Sequence, residues 1–169
     1  MRVLLLSDTH GYIDDAICEH AQNADQIWHA GDVGDLGVLK RLEEFKAELR
    51  VVYGNIDGRS VRQDWPENDY FECAGLRVLM THIGGYPGRY APRARPLLAA
   101  HPDTQLFICG HSHILRVMPD RKRQMLHMNP GACGRHGFHR VRTMLRFSIE
   151  DGRVVDPAVI ELGRRGSVD

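Results

Sequence analysis

Cys109-Gly110-His111-Ser112-His113 closes the apolar run Leu106-Phe107-Ile108 with a glycine and two histidines spaced i, i+2. On a strand that spacing puts both imidazoles on one face, and just past a strand end it aims both at neighbouring points. Taken alone, an H-x-H is most often a pair of exposed loop histidines. Here four other apolar runs end the same way. Val3 to Leu6 leads into Ser7-Asp8-Thr9-His10-Gly11, Ile27-Trp28 through His29-Ala30 into Gly31-Asp32, Val51-Val52-Tyr53 into Gly54-Asn55, and Val78 to Met80 into Thr81-His82. Each run delivers metal-type ligands at its carboxyl end.

Outward from these runs, the first third of the chain alternates strand and helix. Residues 3–7 read as a buried strand, continuous in Val and Leu as parallel strands are. Residues 13–23 show helical spacing through Ile13, Ala16, Ile17 and His20, residues 26–29 form a second short strand, and residues 36–45 an amphipathic helix on Leu36, Leu39, Leu42 and Phe45. Residues 51–53 read as the third strand. Right-handed crossovers make such strands parallel, so their carboxyl ends share one sheet edge, where open α/β sheets bind ligands.

After residue 60 the rhythm changes. Residues 69–73 and 76–81 are short strands about Ala74-Gly75, residues 87–96 a loop rich in Gly, Pro and Arg, residues 96–101 one or two helical turns, and residues 105–109 a buried strand. Two hairpins then follow: residues 114–118 with 124–128 about Asp120-Arg121-Lys122, and residues 144–150 with 154–160 about Asp151-Gly152. Parallel units followed by hairpins predict an α/β fold of two facing mixed β-sheets flanked by helices.

The chain has 169 residues, 43% hydrophobic and 26% charged, which suits one compact domain over 1–169. Lys+Arg and Asp+Glu balance at 22 each, so whole-chain charge gives no argument for nucleic acid or an anionic membrane. Any phosphate site must be local. The apolar run after Arg2 is too short for a signal peptide and is interrupted by Asp8, and no stretch approaches the ~20 apolar residues of a membrane span. Cys18, Cys73, Cys109 and Cys133 are scattered without a C-x-x-C, which fits a reducing cytoplasm.

Asp8, His10, Asp32, Asn55, His82, His111 and His113 supply carboxylate, imidazole and amide but no thiolate, a set suited to first-row divalent ions rather than a structural zinc. Seven ligands exceed one tetrahedral ion. Two ions about 3.5–4 Å apart, bridged by a carboxylate, would use them all. Singly, Asp8 and Asp32 read equally well as helix N-caps, Asn55 as a turn residue and His82 as a strand-end histidine. Their joint occurrence at strand ends is what those readings leave unexplained.

In order and spacing, Asp8-Thr9-His10, Gly31-Asp32, Gly54-Asn55, Thr81-His82 and Gly110-His111-Ser112-His113 resemble the D-x-H, G-D, G-N, H and G-H-x-H signatures of the calcineurin-like metallophosphoesterases. The short length, the closing hairpins and Asn129-Pro130-Gly131 resemble its small bacterial and archaeal phosphodiesterase branch. The resemblance implies the four-layer αββα sandwich, with Asp8, His10 and His113 on one metal, Asn55, His82 and His111 on the other, and Asp32 between them. Manganese is the expected ion, with nickel, iron, zinc and cobalt also compatible. Two carboxylates against two divalent ions leave about +2, a cationic site in a chain of zero net charge.

The resemblance further implies hydrolysis of a phosphate ester, most simply a small diester, by a water that bridges the metals and attacks in line with the leaving group. Asn55 and His82 then count as catalytic as well as ligating. Many relatives read G-N-H where this chain reads Gly54-Asn55-Ile56-Asp57, and Ile56 cannot protonate a leaving group. Asp57 is the replacement acid the sequence offers, although a carboxyl near pKa 4 serves poorly at neutral pH. Gly84-Gly85-Tyr86-Pro87-Gly88-Arg89 looks like a mobile rim whose Arg89 and Arg93 contact substrate.

His29 reads as a strand residue behind the ligands. His20, His101, His127, His136 and His139 fall outside the motifs and read as ordinary surface or core histidines. Two other functions stay open: a protein-interaction scaffold, because a eukaryotic retromer subunit resembles this fold, and a nuclease, on the arginines of residues 135–146. Those arginines read more simply as a solvated face, with no aromatic platform beside them. No membrane partner is expected, and a homo-oligomer is compatible with the sequence.

Overall fold

Val3, Leu4, Leu5 and Leu6 are all buried because the strand that carries them is covered on both faces. The computed structural model describes residues 1–166. In chain order the first half comprises β1 (Arg2–Leu6), α1 (Asp15–Ala21), β2 (Gln26–His29), α2 (Leu36–Glu43), β3 (Glu48–Val51), α3 (Arg59–Arg62), β4 (Asn68–Cys73) and β5 (Leu76–Thr81). The second comprises β6 (Gly85–Tyr86), β7 (Arg89–Tyr90), α4 (Ala94–Ala100), β8 (Leu106–Ile108), β9 (Leu115–Asp120), β10 (Met125–Pro130), β11 (Val141–Glu150) and β12 (Arg153–Arg164).

One five-stranded sheet runs β12-β11-β1-β2-β3 and the other β4-β5-β8-β10-β9. In the first, β1, β2 and β3 are parallel and β11 joins β1 antiparallel. In the second, β8 is parallel to both β5 and β10. The inward residues of both sheets, among them Val3, Leu5, Trp28, Val78, Met80, Ile108, Leu145 and Phe147, form the central core. Leu4, Leu6 and Ile27 face outward under α1 and α2 with Ile17, Ala21, Val38 and Leu42, and Leu79 and Phe107 face outward under α4 with Leu98. The layers are helix, sheet, sheet, helix.

Some boundaries move. The third strand is Glu48–Val51 rather than residues 51–53. At this sheet edge Glu48 and Arg50 point toward the facing sheet, in register with Gln26 and Trp28, so the apolar run marks only the strand's end. Arg50 pairs with Glu48 at 2.9 Å and Asp69 at 3.2 Å and lies 4.2 Å over the Phe71 ring, fastening β3 to β4. The first helix starts two residues later than its apolar spacing implies, because Asp14 caps it by accepting from Ile17 N at 3.1 Å. The expected loop 87–96 contains most of the small β6–β7 hairpin, and α4 begins at Ala94, with Pro96 tolerated in its first turn.

Parallel pairing brings the carboxyl ends of β1, β2 and β3 to one edge and those of β5, β8 and β10 to one edge of the facing sheet. Loops from the two edges touch. His111 N donates to Asp8 Oδ2 at 3.1 Å, and His82 Nδ1 donates to the Ala30 carbonyl at 2.7 Å.

Candidate metal centre

The loops after β1 and β2 extend the sheet past its last strand residues. Asp8 N bonds Gly31 O at 3.0 Å and His10 N bonds Asp32 O at 3.0 Å, so the first two ligand motifs lie side by side. Asp8, His10, Asp32, His111 and His113 all sit at positive φ, between 48° and 67°. Non-glycine residues pay of order 1–3 kcal/mol for such a conformation, and it persists where surrounding structure enforces it, typically at functional sites.

Two groups of ligand atoms result. One atom each from Asp8, His10 and His113 lie within 4.8 Å of one another, and so do atoms from Asp32, His82 and His111. Asp32 faces both groups: Oδ1 is 3.2 Å from His82 Nε2 and Oδ2 is 3.8 Å from His10 Nε2. Asp8 Oδ1 reaches His113 Nε2 at 3.2 Å. Asn55 is exposed and lines the same cleft as His82.

The donor set fits divalent ions by what it leaves unpaired. Among the described residues, Asp8 Oδ1 and His82 Nε2 are buried without a hydrogen-bond partner, while the other end of each is engaged. Asp8 Oδ2 accepts from the Ser7 hydroxyl at 2.6 Å and from His111 N, and His82 Nδ1–H is spent on Ala30 O, which leaves the Nε2 lone pair facing inward. Burial alone would lower the His82 pKa, but Asp32 and Asp8 outweigh it and the net shift is upward. For His10 burial prevails over the same two carboxylates and the pKa falls. The Asp8 and Asp32 carboxylates, facing these imidazoles, give the cavity a charge suited to cations. Close approach is built in: a Cβ on Gly54 would meet Asp32 Oδ1 at 2.0 Å.

Behind the ligands, His29 is fully buried and pushed down to about 4, chiefly by desolvation. Neutral, it accepts from Gly31 N at 3.2 Å on Nδ1 and donates to Thr9 Oγ1 at 2.9 Å, and that hydroxyl donates to Val33 O at 2.9 Å. It ties the first two ligand loops together. Asn129 does the same for the H-x-H loop, donating to Gly110 O at 2.8 Å and Ser112 Oγ at 3.2 Å.

Four expectations change. Asp57 is buried, with Oδ1 accepting from Gly34 N at 2.8 Å and Oδ2 from Gly54 N at 2.7 Å, so both oxygens hold loops and neither is placed to protonate a leaving group. The rim after His82 is pinned: Ala91 N bonds Gly84 O at 3.0 Å, Tyr90 donates to Asp120 at 2.6 Å and Arg116 lies 3.9 Å over Tyr86. Its arginines part company, Arg89 lining a cleft beside His111 and Arg93 one beside His82. Arg135 and Arg142, read as a solvated face, turn onto Tyr12 at 4.4 and 4.9 Å, and Arg142 pairs with Asp14 at 2.8 Å while 3% exposed.

The fourth is the segment Gly134 to His139, whose two histidines stand beside the ligands rather than apart from them. His136 lies 5.0 Å from the His10 ring and His139 5.3 Å from the His113 ring. Gly137, at φ 121°, brings backbone so near that a Cβ would meet His113 Nδ1 at 2.0 Å. Two histidines interleaved with Gly134 and Gly137, soon after Asn129-Pro130-Gly131, are the sequence signal for this segment.

The family model of the calcineurin-like phosphoesterase superfamily domain matches residues 1–152. A probable metallophosphoesterase of Methanothermobacter thermautotrophicus is 30% identical over 139 residues, covering 78% of this chain and 77% of that one. Among solved structures, a Vps29 single mutant from Entamoeba histolytica superposes with a TM-score of 0.74 at 17% identity, over 96% of this chain and 100% of that one. A structure described as a novel archaeal phosphodiesterase gives 0.72 at 22% identity, over 96% and 100%. At those identities the structural likeness speaks to the fold.

Proposed function

Because the chain belongs to the calcineurin-like phosphoesterase superfamily, we propose that it is a dinuclear, metal-dependent phosphodiesterase. The observation that carries this reading is Asp32, whose two oxygens face two separate ligand groups at 3.2 and 3.8 Å. Asp8, His10 and His113 would hold one ion, and Asn55, His82 and His111 the other, with Asp32 shared. When bound, such ions polarise phosphoryl oxygens and lower the pKa of water toward neutrality. The mixed oxygen-and-imidazole donor set fits first-row divalent ions as a class, and manganese is the one we propose.

The chain itself supplies orientation. Ser7 and the His111 amide fix the Asp8 carboxylate, Ala30 fixes the tautomer of His82, and the Ile56 amide, 3.1 Å from Asp32 Oδ1, fixes the shared carboxylate. Asn55 stands at the cleft where a phosphate oxygen would arrive. With Ile56 exposed and Asp57 committed to backbone, the leaving oxygen departs largely as an anion. Four buried, unpaired cysteines support a cytoplasmic location. The likeness to Vps29 favours a protein-interaction scaffold only weakly, since all seven ligand positions are filled with ligating residues here.

Calorimetric titration of metal-free protein with manganese, paired with hydrolysis of aryl diesters and monoesters, tests the reading. Two tight sites per chain and a preference for the diester are expected. One site or none, or no hydrolysis of either ester, overturns it.

A further inference from the structure

Two clefts leave the Asp32, His82 and His111 group in different directions, and Ile83, the residue after His82, lines both. The first, of about 270 Å³, begins at His111 and is mostly apolar, walled by Ile83, Tyr86, Ala91 and Ile114. On it the Arg116 guanidinium lies 3.9 Å over the Tyr86 ring. A guanidinium over one aromatic ring can also take a second ring, through cation–π and stacking contact. Ile114, 56% exposed, extends the apolar wall to the mouth of this cleft.

The second cleft, of about 250 Å³, begins at Asn55 and His82 and differs in chemistry. It carries Arg62, Arg93 and Glu67, two cations against one anion. All three side-chain bonds of Arg62 go to carbonyl oxygens, of Asp57, Gly54 and Asn55, so no carboxylate neutralises it. Arg93 meets Glu67 at 3.6 Å with both side chains at least half exposed, a pairing worth about 0–1 kcal/mol that an incoming anion can displace.

The side toward Asp8, His10 and His113 is occupied by the segment from Gly134 to His139, so a phosphate over both ligand groups has these two exits. A monoester has one organic arm and leaves one cleft empty. We infer that the substrate is a small phosphodiester whose aromatic arm stacks in the Tyr86–Arg116 cleft and whose second arm carries an anionic group to Arg62 and Arg93. Each cleft is just below the ~300–1,000 Å³ that accommodates a drug-sized ligand, enough for a ring or a short chain. This rests on the phosphodiesterase reading above and adds the identity of the two arms.

The test uses manganese-loaded protein, bis-para-nitrophenyl phosphate as reporter substrate, and alkyl phosphonate monoesters as competitive inhibitors, with calorimetric binding as a second readout. Phenyl in place of methyl on phosphorus is expected to tighten inhibition about tenfold, and a carboxyethyl ester about fivefold over its propyl counterpart. Tyr86→Ala should erase the phenyl advantage and spare the carboxyethyl one, and Arg93→Ala the reverse. Arg116→Leu, which leaves the hairpin residues intact, should repeat the first pattern if Tyr86→Ala folds poorly. Hydrolysis of the reporter with equal inhibition across the series, or with both advantages unchanged in Arg93→Ala and Arg116→Leu, overturns the inference alone. Failure to hydrolyse the reporter overturns the phosphodiesterase reading and this inference with it.

Discussion

The Ser7 hydroxyl donates to Oδ2 of Asp8 at 2.6 Å, inside the protein, and thereby fixes which carboxylate oxygen faces the histidines. Outer hydrogen bonds of this kind typically carry 10–100-fold in metal affinity. Ser7→Ala should weaken ion binding at the Asp8, His10 and His113 group by about that factor while the other group changes less. A calorimetric isotherm with both affinities unaltered would show that the carboxylate holds its own orientation.

Gly54 has no room for a side chain. An added Cβ would meet Asp32 Oδ1 at 2.0 Å and Asp32 N at 2.4 Å, and the backbone atom cannot swing aside. Gly54→Ala should therefore lower occupancy at both groups by about tenfold or more, since Asp32 faces both. Gly58→Ala, where nothing lies within 4 Å, is the matched control. Metal content after gel filtration reads the effect, and equal content in the two variants contradicts the shared role of Asp32.

Ile56 is 46% exposed and its neighbour Asp57 is tied to Gly34 and Gly54, so no carboxyl or imidazole at these positions reaches a leaving oxygen. General acids contribute about 10²–10⁴-fold, and an alkoxide feels most of their absence. Aryl diesters should be cut far faster than alkyl ones, and Ile56→His should help alkyl substrates selectively. Asp57→Asn should cost about 2–3 kcal/mol of stability through its lost charged hydrogen bonds and leave the aryl-to-alkyl ratio unchanged. A ratio that widens in Asp57→Asn would make Asp57 the acid after all.

His127 is fully buried with neither ring nitrogen paired, and desolvation, aided by Arg116 and opposed by Asp120, pushes it down to about 4. The unfolded chain takes up this proton near 6.5 and the folded chain near 4, so its contribution is complete above about pH 6.5 and is lost as pH falls toward 4. At about 1.4 kcal/mol per pKa unit, the full loss is about 3 kcal/mol. Urea denaturation of metal-free protein at pH 7 and pH 4.5 should show His127→Leu losing about 2 kcal/mol less than wild type on acidification. Equal losses would move the acid sensitivity elsewhere, His29 being the next buried imidazole.

The architecture was legible where chemistry repeats. Five apolar runs ending in ligand residues mark parallel strands, three ending at one sheet edge and two at the edge of the facing sheet, because each ligand follows the last apolar residue of its run. The third strand departs from its apolar run because, at a sheet edge, charged Glu48 and Arg50 take the positions that face the second sheet, and no apolar pattern marks them. Asp57 was misread because a carboxylate's partners there are backbone amides of Gly34 and Gly54, which no side-chain motif records. His136 and His139 escaped because their nearness to His10 and His113 depends on how β10 and β11 return the chain to the site, a tertiary relation with no spacing rule. The same return turns Arg135 and Arg142 onto Tyr12.

The left-handed backbone at Asp8, His10, Asp32, His111 and His113 also bears on how such a site could decay. Glycine adopts that conformation freely, and asparagine more readily than histidine. In a descendant released from the need for ions, glycine at His10, His111 or His113 would relieve strain that selection no longer rewards, whereas at Asp8 or Asp32 it would also leave the Ser7 hydroxyl and the His111 and Ile56 amides without an acceptor. Ligand loss would then begin at these turns and spare His82, whose backbone is ordinary. A lineage could keep the sandwich intact while its chemistry drains away through the very positions where the main chain is least comfortable.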